Sequence, residues 1–388
     1  MQWDPEIDTP ATILVIGGNP VAIEAALYAR FLGYSVFVAD KGRVGKDLKS
    51  KADTPMPLPW SQLTSSLGLA ALEAQKPGSA ASLKPDQVPS HAEYVEKYLV
   101  AVAKTDLLYE SIQINSPVLS VRRSGCSISQ EMELEEAAEH EFRAVLHSTK
   151  RGQYSNPFDI ALDCIGLKQE SCGLGMGGGL ACWESEIKEQ SDSELAANGF
   201  FRNPVGVPKL DLSRRQRVIV YGDDKAAVQQ VESLQSTLEG ALGARLLWLV
   251  PKGSPILEDS EAKRIAEAEV SGFAQEQIWG IERIQWNDDS QTWQLGLQTT
   301  LEEILDYECH YFCQNGIQHA SKAATEVVPN LIDRSGVATS QPHYYRLDSD
   351  SEETLAQSLE RIRQVFALVG GREDLDLYST IRPADSTE

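Results

Sequence analysis

Residues 12–40 constrain the fold of this chain more than any other stretch. They read TILVIGGNPVAIEAALYARFLGYSVFVAD, in which two short apolar runs flank a glycine-containing break and a segment with apolar residues at helical spacing. A continuous apolar run is typical of a parallel strand that is buried on both faces, and Gly33 is a stop signal for the helix. The stretch therefore predicts a strand, a tight turn, a helix and a second strand, which together make a βαβ unit.

The turn of this unit matches a dinucleotide-binding fingerprint except at one position. In the pattern G-x-G-x-x-G/A, Gly17 takes the first position and Ala22 the last. Asp40 ends the second strand about 20 residues further on, where an acid accepts a hydrogen bond from a ribose hydroxyl. Asn19 replaces the middle glycine, which normally lets a pyrophosphate approach the backbone at the helix N-terminus. A nucleotide site tolerates this asparagine if its φ is positive, a region that Asn enters more readily than most residues.

Residues 217–250 repeat the same order of strand, helix and strand. Gly222 holds the first position of the fingerprint and Ala227 the last, but Asp224 stands at the middle position. A carboxylate close to a pyrophosphate is electrostatically unfavourable. The second strand ends without an acid for the ribose hydroxyl of NAD, whereas Lys252 and Arg264 suit the 2′-phosphate of NADP. The second unit is therefore expected to lose its nucleotide more readily than the first.

Other segments predict how the two units are joined. Three runs of β-forming residues predict a small antiparallel insertion: 112–114, 117–122 and 142–148. Three segments have helical periodicity: 91–104, 258–273 and 354–368. Residues 158–166 predict a buried strand that returns to the first sheet and ends at Gly166, and residues 308–316 predict a third glycine-ended strand. The glycine-rich segment 173–179 suits two interpretations equally well: backbone amides held against a ligand, or a linker or plain turn.

Length and charge narrow the class of protein. A chain of 388 residues exceeds what one hydrophobic core usually supports, so two domains are expected. The formal net charge of −22 argues against non-specific binding to nucleic acid and to anionic membranes, because phosphate contacts need clustered Lys and Arg. No apolar run reaches the about 18 residues of a membrane span, and residues 1–10 lack the basic start and apolar stretch of a signal peptide. A cytoplasmic protein is the expectation.

The cysteines and histidines indicate neither a redox dithiol nor a metal site. No two cysteines form a C-x-x-C pair, and reduced thiols are expected at all six positions: 126, 164, 172, 182, 309 and 313. Cys309 and Cys313 lie four apart on one predicted strand, about 13 Å from each other, so we interpret them as small buried hydrophobic residues. The six histidines show no ligand spacing. Trp60 suits a substrate pocket and a core position equally, and the sequence names no catalytic residue.

Several strings resemble, in their order and spacing, a bacterial branch of flavoproteins related to the pyridine-nucleotide-disulfide reductases. They are VIGGNPVAIEAALYARFLGYSVFVADKGRVG, SLGLAALEAQ, HAEYVEKYL, IALDCIG, GLGMGGGLACWE and RIRQVFALVGGREDLDLYST. The wider family includes thioredoxin reductases, bacillithiol-disulfide-reductase-like proteins and flavin-containing monooxygenases. The resemblance covers nearly the whole chain and implies two dinucleotide-binding domains, with FAD on the first βαβ unit and NAD(P)H on the second.

The resemblance also implies which residues hold the cofactors. The set is Gly17, Gly18, Asn19, Pro20, Ala22, Asp40, Lys41, Gly166, Gly222, Ala227 and Asp348. In such proteins the FAD pyrophosphate lies against the positions of Gly17, Gly18 and Ala22. The position of Asp40 meets the adenosine ribose, and that of Asp348 meets the ribitol chain.

The sequence thus predicts an α/β protein. It has two Rossmann-like three-layer dinucleotide-binding domains, the second inserted in the first, with a small antiparallel β insertion. The expected FAD-type domain comprises residues 1–205 and 308–388, and the expected NAD(P)-type domain comprises residues 206–307.

Two functions are compatible with these features. The first is an FAD-dependent, NAD(P)H-using oxidoreductase or monooxygenase-like flavoprotein that lacks a redox dithiol and acts on a small organic substrate. The alternative is a degenerate pseudo-enzyme of the same fold that has lost NAD(P), or FAD as well, and acts as a binding or regulatory protein. A third version keeps one nucleotide as a structural ligand. Departures from the family pattern at 313–316 and 346–349 add to those at the two turns. A homodimer is expected only by analogy with the family.

Overall fold

The computed structural model describes most of the chain: residues 11–127, 133–167, 173–204, 216–238, 243–301, 303–315, 337, 339, 341–347, 354–372 and 374–381. Asp348, the residue expected at the ribitol chain, lies outside the described residues.

The described strands and helices follow in chain order. The strands are β1 Thr12–Ile16, β2 Ser35–Ala39, β3 Ile112–Gln113, β4 Val118–Arg123, β5 Phe142–Ser148, β6 Gly152–Phe158, β7 Ile160–Asp163, β8 Phe200–Arg202, β9 Arg217–Tyr221, β10 Arg245–Pro251, β11 Phe273–Asn287, β12 Thr292–Thr299, β13 Ile304–Cys309, β14 Tyr311–Gln314 and β15 Tyr344–Arg346. The helices are α1 Pro20–Phe31, α2 Trp60–Leu63, α3 Ser66–Gln75, α4 His91–Tyr94, α5 Val100–Ala103, α6 Leu134–Glu139, α7 Glu184–Lys188, α8 Asp192–Ala197, α9 Lys225–Leu238, α10 Ser260–Ala266, α11 Leu355–Gly370 and α12 Leu377–Thr380. A π-helical segment, Val95–Leu99, joins α4 to α5.

Five parallel strands form the first sheet, in the order β15, β7, β1, β2, β3. The apolar run of β1 is buried on both faces, as the sequence predicts. Ile13 and Val15 pack in one core with α1 and α11, whereas Leu14 and Ile16 pack against the neighbouring antiparallel strands β4 and β5. On the helical side, Tyr28 of α1 stacks on Phe366 of α11 with ring centroids 5.0 Å apart.

The antiparallel insertion is present, but one of its expected strands belongs elsewhere. Strands β4, β5 and β6 pair antiparallel in that order. The run at 112–114 instead supplies β3, which pairs in parallel with β2 at the edge of the first sheet. The third antiparallel strand is β6, whose mixed sequence GQYSNPF shows no clear alternation. A short edge strand and a polar strand both lack the periodic pattern that would assign them from sequence.

The second sheet has seven strands, in the order β13, β12, β11, β10, β9, β14, β8. Strands β8, β14, β9, β10 and β11 run parallel, and β11, β12 and β13 form an antiparallel meander. One face of this sheet packs against α9 and α10 in a separate core. Because this second sheet lies in the chain between β7 and β15 of the first sheet, the fold class and the insertion of one domain in the other are confirmed.

Three details of the second domain differ from the expected ones. Strands β8 and β14 fall in the chain segments assigned to the first domain, yet both hydrogen-bond into the second sheet. The expected single strand at 308–316 is two strands, because the chain breaks at His310, whose N–H donates to the carbonyl of Arg217 at 2.9 Å. Residues 258–273 contain only the seven-residue helix α10, and β11 starts at Phe273.

Helix ends agree closely with their sequence signals. Ser90 and Glu93 form a capping box at the start of α4, and Thr354 and Gln357 form another at the start of α11. Gly371, with a φ of 60°, ends α11 in the left-handed conformation that favours glycine.

Candidate nucleotide-binding turns

The turn between β1 and α1 lies at the carboxyl end of the first sheet, where nucleotides bind in folds of this class. Gly17 has a φ of 121°, and the side chain of Ile165 covers it: a Cβ at this position would lie 2.6 Å from Ile165 Cγ2. A Cβ on Gly18 would lie 3.2 Å from the Asp40 side chain. Side chains from the ends of β7 and β2 therefore close over the two glycines.

Asn19 occupies the turn with its own side chain. Its φ is −80°, so the positive φ under which a nucleotide site tolerates this residue is absent. Asn19 is the N-cap of α1: its Oδ1 accepts from the N–H of Ala22 at 2.9 Å, and its Nδ2 donates to the carbonyl of Cys164 at 2.7 Å. Pro20, at the first helical position, has no N–H. A pyrophosphate at this helix end must displace the carboxamide from both partners.

The adenosine end of the first turn keeps groups that suit a nucleotide. Asp40 Oδ1 accepts from the N–H of Gly42 at 2.6 Å, which leaves the second carboxylate oxygen with lone pairs for a ribose hydroxyl. Lys41, Arg43 and Lys46 follow on the adjoining loop, and all three are exposed. The first turn therefore combines a neutral cap, an acid at the ribose position and three cations in a chain that is strongly acidic as a whole.

Asp163 organises the end of β7 beside this turn. It is fully buried, and its carboxylate accepts from the N–H groups of Ile165 at 3.1 Å and Leu167 at 2.8 Å. Tyr344 of β15 donates to the same carboxylate at 3.2 Å. Burial raises the pKa of Tyr344, and the facing carboxylate raises it further. These contacts hold the exit of β7, including Gly166 with its φ of 64°, in the geometry that places Ile165 over the first glycine. The sequence did not predict this role of Asp163, because many strands end at an acidic residue and the pattern alone does not single one out.

The turn between β9 and α9 is closed in a parallel way, but by a charged side chain. Asp224 Oδ1 accepts from the N–H of Ala227 at 2.8 Å, so a carboxylate fills the position of the middle glycine. Gly222 has a φ of 152°, and a Cβ there would lie 2.6 Å from the carbonyl oxygen of Asn315 at the end of β14. Asp223, the next residue, adds a second negative charge.

The carboxyl end of the second sheet is also covered by the chain itself. Ser127 Oγ donates to the carbonyl of Lys252, and Lys252 Nζ lies 3.9 Å from the centre of the Trp279 ring. A Cβ on Gly280 would lie only 2.4 Å from the backbone nitrogen of Met176. Lys252, expected to meet a 2′-phosphate, is thus held in a cation–π contact with Trp279, and its carbonyl accepts from Ser127.

The glycine-rich segment 173–179 is a tightly folded turn whose amide groups hydrogen-bond to carbonyl groups of the protein. The N–H of Gly175 donates to the carbonyl of Gly179 at 2.8 Å, and that of Gly177 donates to Cys126 at 2.7 Å. Glu184 holds the turn closed, because its Oε2 accepts from the N–H groups of Leu174 and Ala181, both at 2.8 Å. Burial raises the pKa of Glu184. Of the two sequence interpretations, a ligand cradle and a plain turn, the structure supports the turn.

The remaining candidate residues are buried in the hydrophobic cores. Trp60 is 3% exposed and packs in the first core near Tyr94, with ring centroids 6.2 Å apart. Cys309 and Cys313 are fully buried, as expected, but they lie on the different strands β13 and β14. Burial raises the pKa of Cys313 to about 12.

Among the described residues, no group of three His, Cys, Asp or Glu side chains is placed to hold a metal ion. None of the described helices is long and apolar enough to cross a membrane.

Fold and turns together define a protein with two Rossmann-type domains, each with a self-capped turn at its candidate nucleotide site. Similar solved structures include two reductases and a hydroxylase. A thioredoxin reductase from Gloeobacter violaceus is 11% identical over 95% of this chain and 96% of that chain, with a TM-score of 0.34. Bacillithiol disulfide reductase from Bacillus cereus is 11% identical over 94% and 100%, with a TM-score of 0.39. Ornithine hydroxylase from Pseudomonas aeruginosa is 12% identical over 94% and 100%, with a TM-score of 0.38.

The first two of these structures belong to groups that the sequence strings resemble. No family model and no curated protein matches the chain. With TM-scores this low, the fold class rests on the strand order and parallel registers of the two sheets themselves.

Proposed function

We propose that the protein is a flavin-dependent oxidoreductase that holds FAD in its first domain and takes no NAD(P)H in its second. The observation that carries this proposal is the difference in charge between the two helix caps. Asn19 is neutral and stands near exposed Lys41, Arg43 and Lys46, whereas Asp224 is a carboxylate that stands beside Asp223. Both caps fill the same position of the fingerprint, so their charge decides which turn accepts a phosphate.

The electrostatic difference is large enough to decide nucleotide binding. A phosphate charge about 4 Å from a carboxylate is disfavoured by about 4 kcal/mol at the effective dielectric constant of about 20 that suits partly exposed sites. That free energy corresponds to roughly a thousandfold in affinity. Asp224 is partly exposed, so this dielectric constant applies. The residues of the second turn therefore do not fit a pyrophosphate.

The residues of the first turn fit the adenosine half of FAD. Asp40 would accept from the ribose, and the adjoining cations would face the phosphates once the Asn19 side chain rotates away. No described group accepts from the N–H of Val21, which leaves this helix-end donor for a phosphate oxygen. Bound FAD would supply hydride and electron transfer, and the protein would contribute binding and orientation.

The redox step would not use a protein dithiol. Each of the five cysteines that the structure describes is buried and free of a disulfide. We extend the proposal, by analogy with the resembled family alone, to a small-molecule substrate, a cytoplasmic location and a homodimer.

A pseudo-enzyme without FAD is the second candidate, and the double anchoring of Asn19 favours it. The carboxamide must leave both Ala22 and Cys164 before a pyrophosphate enters, and Ile165 already covers Gly17. In that version the closed turns are fixed parts of the core, and the scaffold serves as a binding protein.

The absorption spectrum of the purified protein distinguishes the two candidates. The proposed flavoprotein carries flavin absorption, or acquires it on addition of FAD, and is not reduced by NADH or NADPH. A folded protein that stays colourless after incubation with FAD overturns the proposal and leaves the pseudo-enzyme. Rapid reduction of a bound flavin by NADPH would contradict the assignment of the second domain.

A further inference from the structure

The second domain contains a cleft of about 590 Å³ away from its nucleotide turn. Its floor is formed by the first residues of β9, β10 and β11, and part of its wall by β13. These are the amino ends of parallel strands, whereas Gly222 and Asp224 lie at their carboxyl ends. The cleft opens on the face of the sheet that α9 and α10 do not cover, since the side chains of Ile219 and Leu247 belong to the opposite core. It is therefore distinct from the position at which a Rossmann-type domain binds its nucleotide.

Two arginines stand side by side at one end of this cleft. Arg217 and Arg245 are exact partners in the parallel register of β9 and β10, so they project from neighbouring strands on the same face. Like charges opposite each other in a sheet are destabilising. An anion placed between two guanidinium groups removes that repulsion and accepts charge-assisted hydrogen bonds from both.

The charges around this arginine pair leave it free to bind. Arg245 has no ion-pair partner within the described part of the chain. Arg217 has only a long contact with Glu308, at 3.9 Å, and both side chains are at least half exposed. Asp306, the nearest other acid on β13, is paired with Arg283. A bound anion would therefore contact the guanidinium of Arg245, which has no ion-pair partner among the described residues, and that of Arg217, which Glu308 neutralises only weakly.

The floor beyond the arginines is apolar. Two residues further along the same strands, Ile219 and Leu247 are again partners in register and line the cleft. Two residues of strand correspond to about 6.6 Å. At the far side, Tyr307 donates its hydroxyl to both oxygens of Glu276, at 2.9 Å and 3.1 Å. Along the strands the cleft thus presents three parts in turn. The arginine pair can bind an anion, and we call it the anion seat. The apolar floor that follows is about as long as one short side chain, and Tyr307 and Glu276 form a polar wall beyond it.

We propose that this cleft binds a small organic acid that has one carboxylate and an apolar body. The carboxylate lies between Arg217 and Arg245, and the apolar body lies on Ile219 and Leu247. The volume, apolar floor and few convergent polar groups are those of small-molecule sites. This site does not depend on flavin in the first domain.

The test uses 4-phenylbutyrate as the probe, with 4-phenylbutanamide as its uncharged counterpart and 4-phenylbutyl phosphate as a second anion. Binding to the full chain is measured by ligand-observed NMR titration, which has no flavin readout and so fails or succeeds separately from the proposed function. The acid is expected to bind at least about tenfold more tightly than the amide, since charge-assisted hydrogen bonds are at stake. Tighter binding of the phosphate than of the carboxylate would keep the anion seat but overturn the assignment of a carboxylic acid.

Arginine variants locate the seat. Arg245→Met is expected to weaken binding of the acid by about ten- to hundredfold while leaving the amide unchanged. Arg217→Met is expected to have a smaller effect, because this guanidinium is shared with Glu308. Arg264→Met is the matched control: this exposed arginine lies on α10, across the sheet, and pairs with Glu232. Equal binding of acid and amide to the folded wild type, no saturable binding of any probe, or equal binding to the wild type and Arg245→Met overturns the proposal.

Discussion

Replacing Asn19 with glycine tests whether the first nucleotide turn is closed by its own side chain. In the wild type, a pyrophosphate reaches the helix end only after the Asn19 carboxamide leaves the N–H of Ala22 and the carbonyl of Cys164, at 2.9 Å and 2.7 Å. Each of these hydrogen bonds contributes about 1 kcal/mol net. Asn19→Gly is therefore expected to raise the affinity for FAD by up to about 2 kcal/mol, which is roughly 30-fold.

The same substitution has a defined effect on stability. Replacement of an N-cap asparagine by glycine costs only a few tenths of a kcal/mol, and loss of the hydrogen bond to Cys164 costs about 1 kcal/mol. The free energy of unfolding without FAD should thus fall by about 1 to 1.5 kcal/mol. Ser191→Gly is the matched control, because Ser191 is an N-cap that lies at α8, outside both nucleotide turns.

The assay is a titration with FAD followed by quenching of flavin fluorescence, combined with urea unfolding of each variant. Tighter binding by Asn19→Gly and unchanged binding by Ser191→Gly support the reasoning. A folded Asn19→Gly variant that binds FAD no more tightly than the wild type refutes it, since the side chain would then not be what excludes the pyrophosphate.

Three further predictions follow from contacts at the second turn and in the two cores. Asp224→Asn removes the charge of the second cap and is expected to raise NADPH affinity at least about tenfold in a calorimetric titration, because the Coulomb repulsion is lost. Glu24→Gln is expected to become more stable relative to the wild type as the pH rises above 4.5, measured as the difference in Tm. Burial raises the pKa of Glu24 from 4.5, although hydrogen bonds from Tyr98 and Ser65 oppose the shift. The wild type therefore loses stability as the pH rises above 4.5, because the carboxyl ionises in the unfolded chain while the native one stays protonated. Gly280→Ala is expected to lower the free energy of unfolding by about 1–3 kcal/mol in urea, because its Cβ would lie 2.4 Å from the backbone nitrogen of Met176.

Each of these variants has a matched partner. Asp106→Asn removes an exposed charge distant in sequence from the second turn and should leave NADPH binding unchanged. If Asp224→Asn also leaves NADPH binding unchanged, the backbone of Asn315 over Gly222, and not the charge, closes the second turn. Glu110→Gln changes an exposed glutamate and is the reference variant in the same measurement. A flat difference for Glu24→Gln would contradict the buried-acid interpretation. Gly370→Ala adds a Cβ in open space within α11 and should be neutral or stabilising; an equal loss for both glycine variants would show that the contact with Met176 is not the cause.

Local signals in the sequence were sufficient for most of the scaffold. The apolar runs of β1 and β9 and the helical stretches after them predict both βαβ units, because strand burial and helix periodicity are encoded over a few neighbouring residues. The capping boxes at Ser90 and Thr354 are local features as well, because each depends on side chains three residues apart. The sequence placed β14 in the first domain and predicted no strand at β8, because their pairing joins residues more than a hundred positions apart and leaves no local pattern.

The two candidate turns also combine local features, which the sequence shows, with long-range contacts, which it does not show. By itself, the sequence determined that two nucleotide fingerprints exist and that Asn19 and Asp224 replace their middle glycines. Only the tertiary structure decided what those replacements do: each side chain caps its own helix, Ile165 covers Gly17, and Asn315 packs on Gly222. The physical reason is that a cap depends on φ and side-chain rotation, and the covering contacts depend on strands that return to the turn from about 90 to 150 residues away.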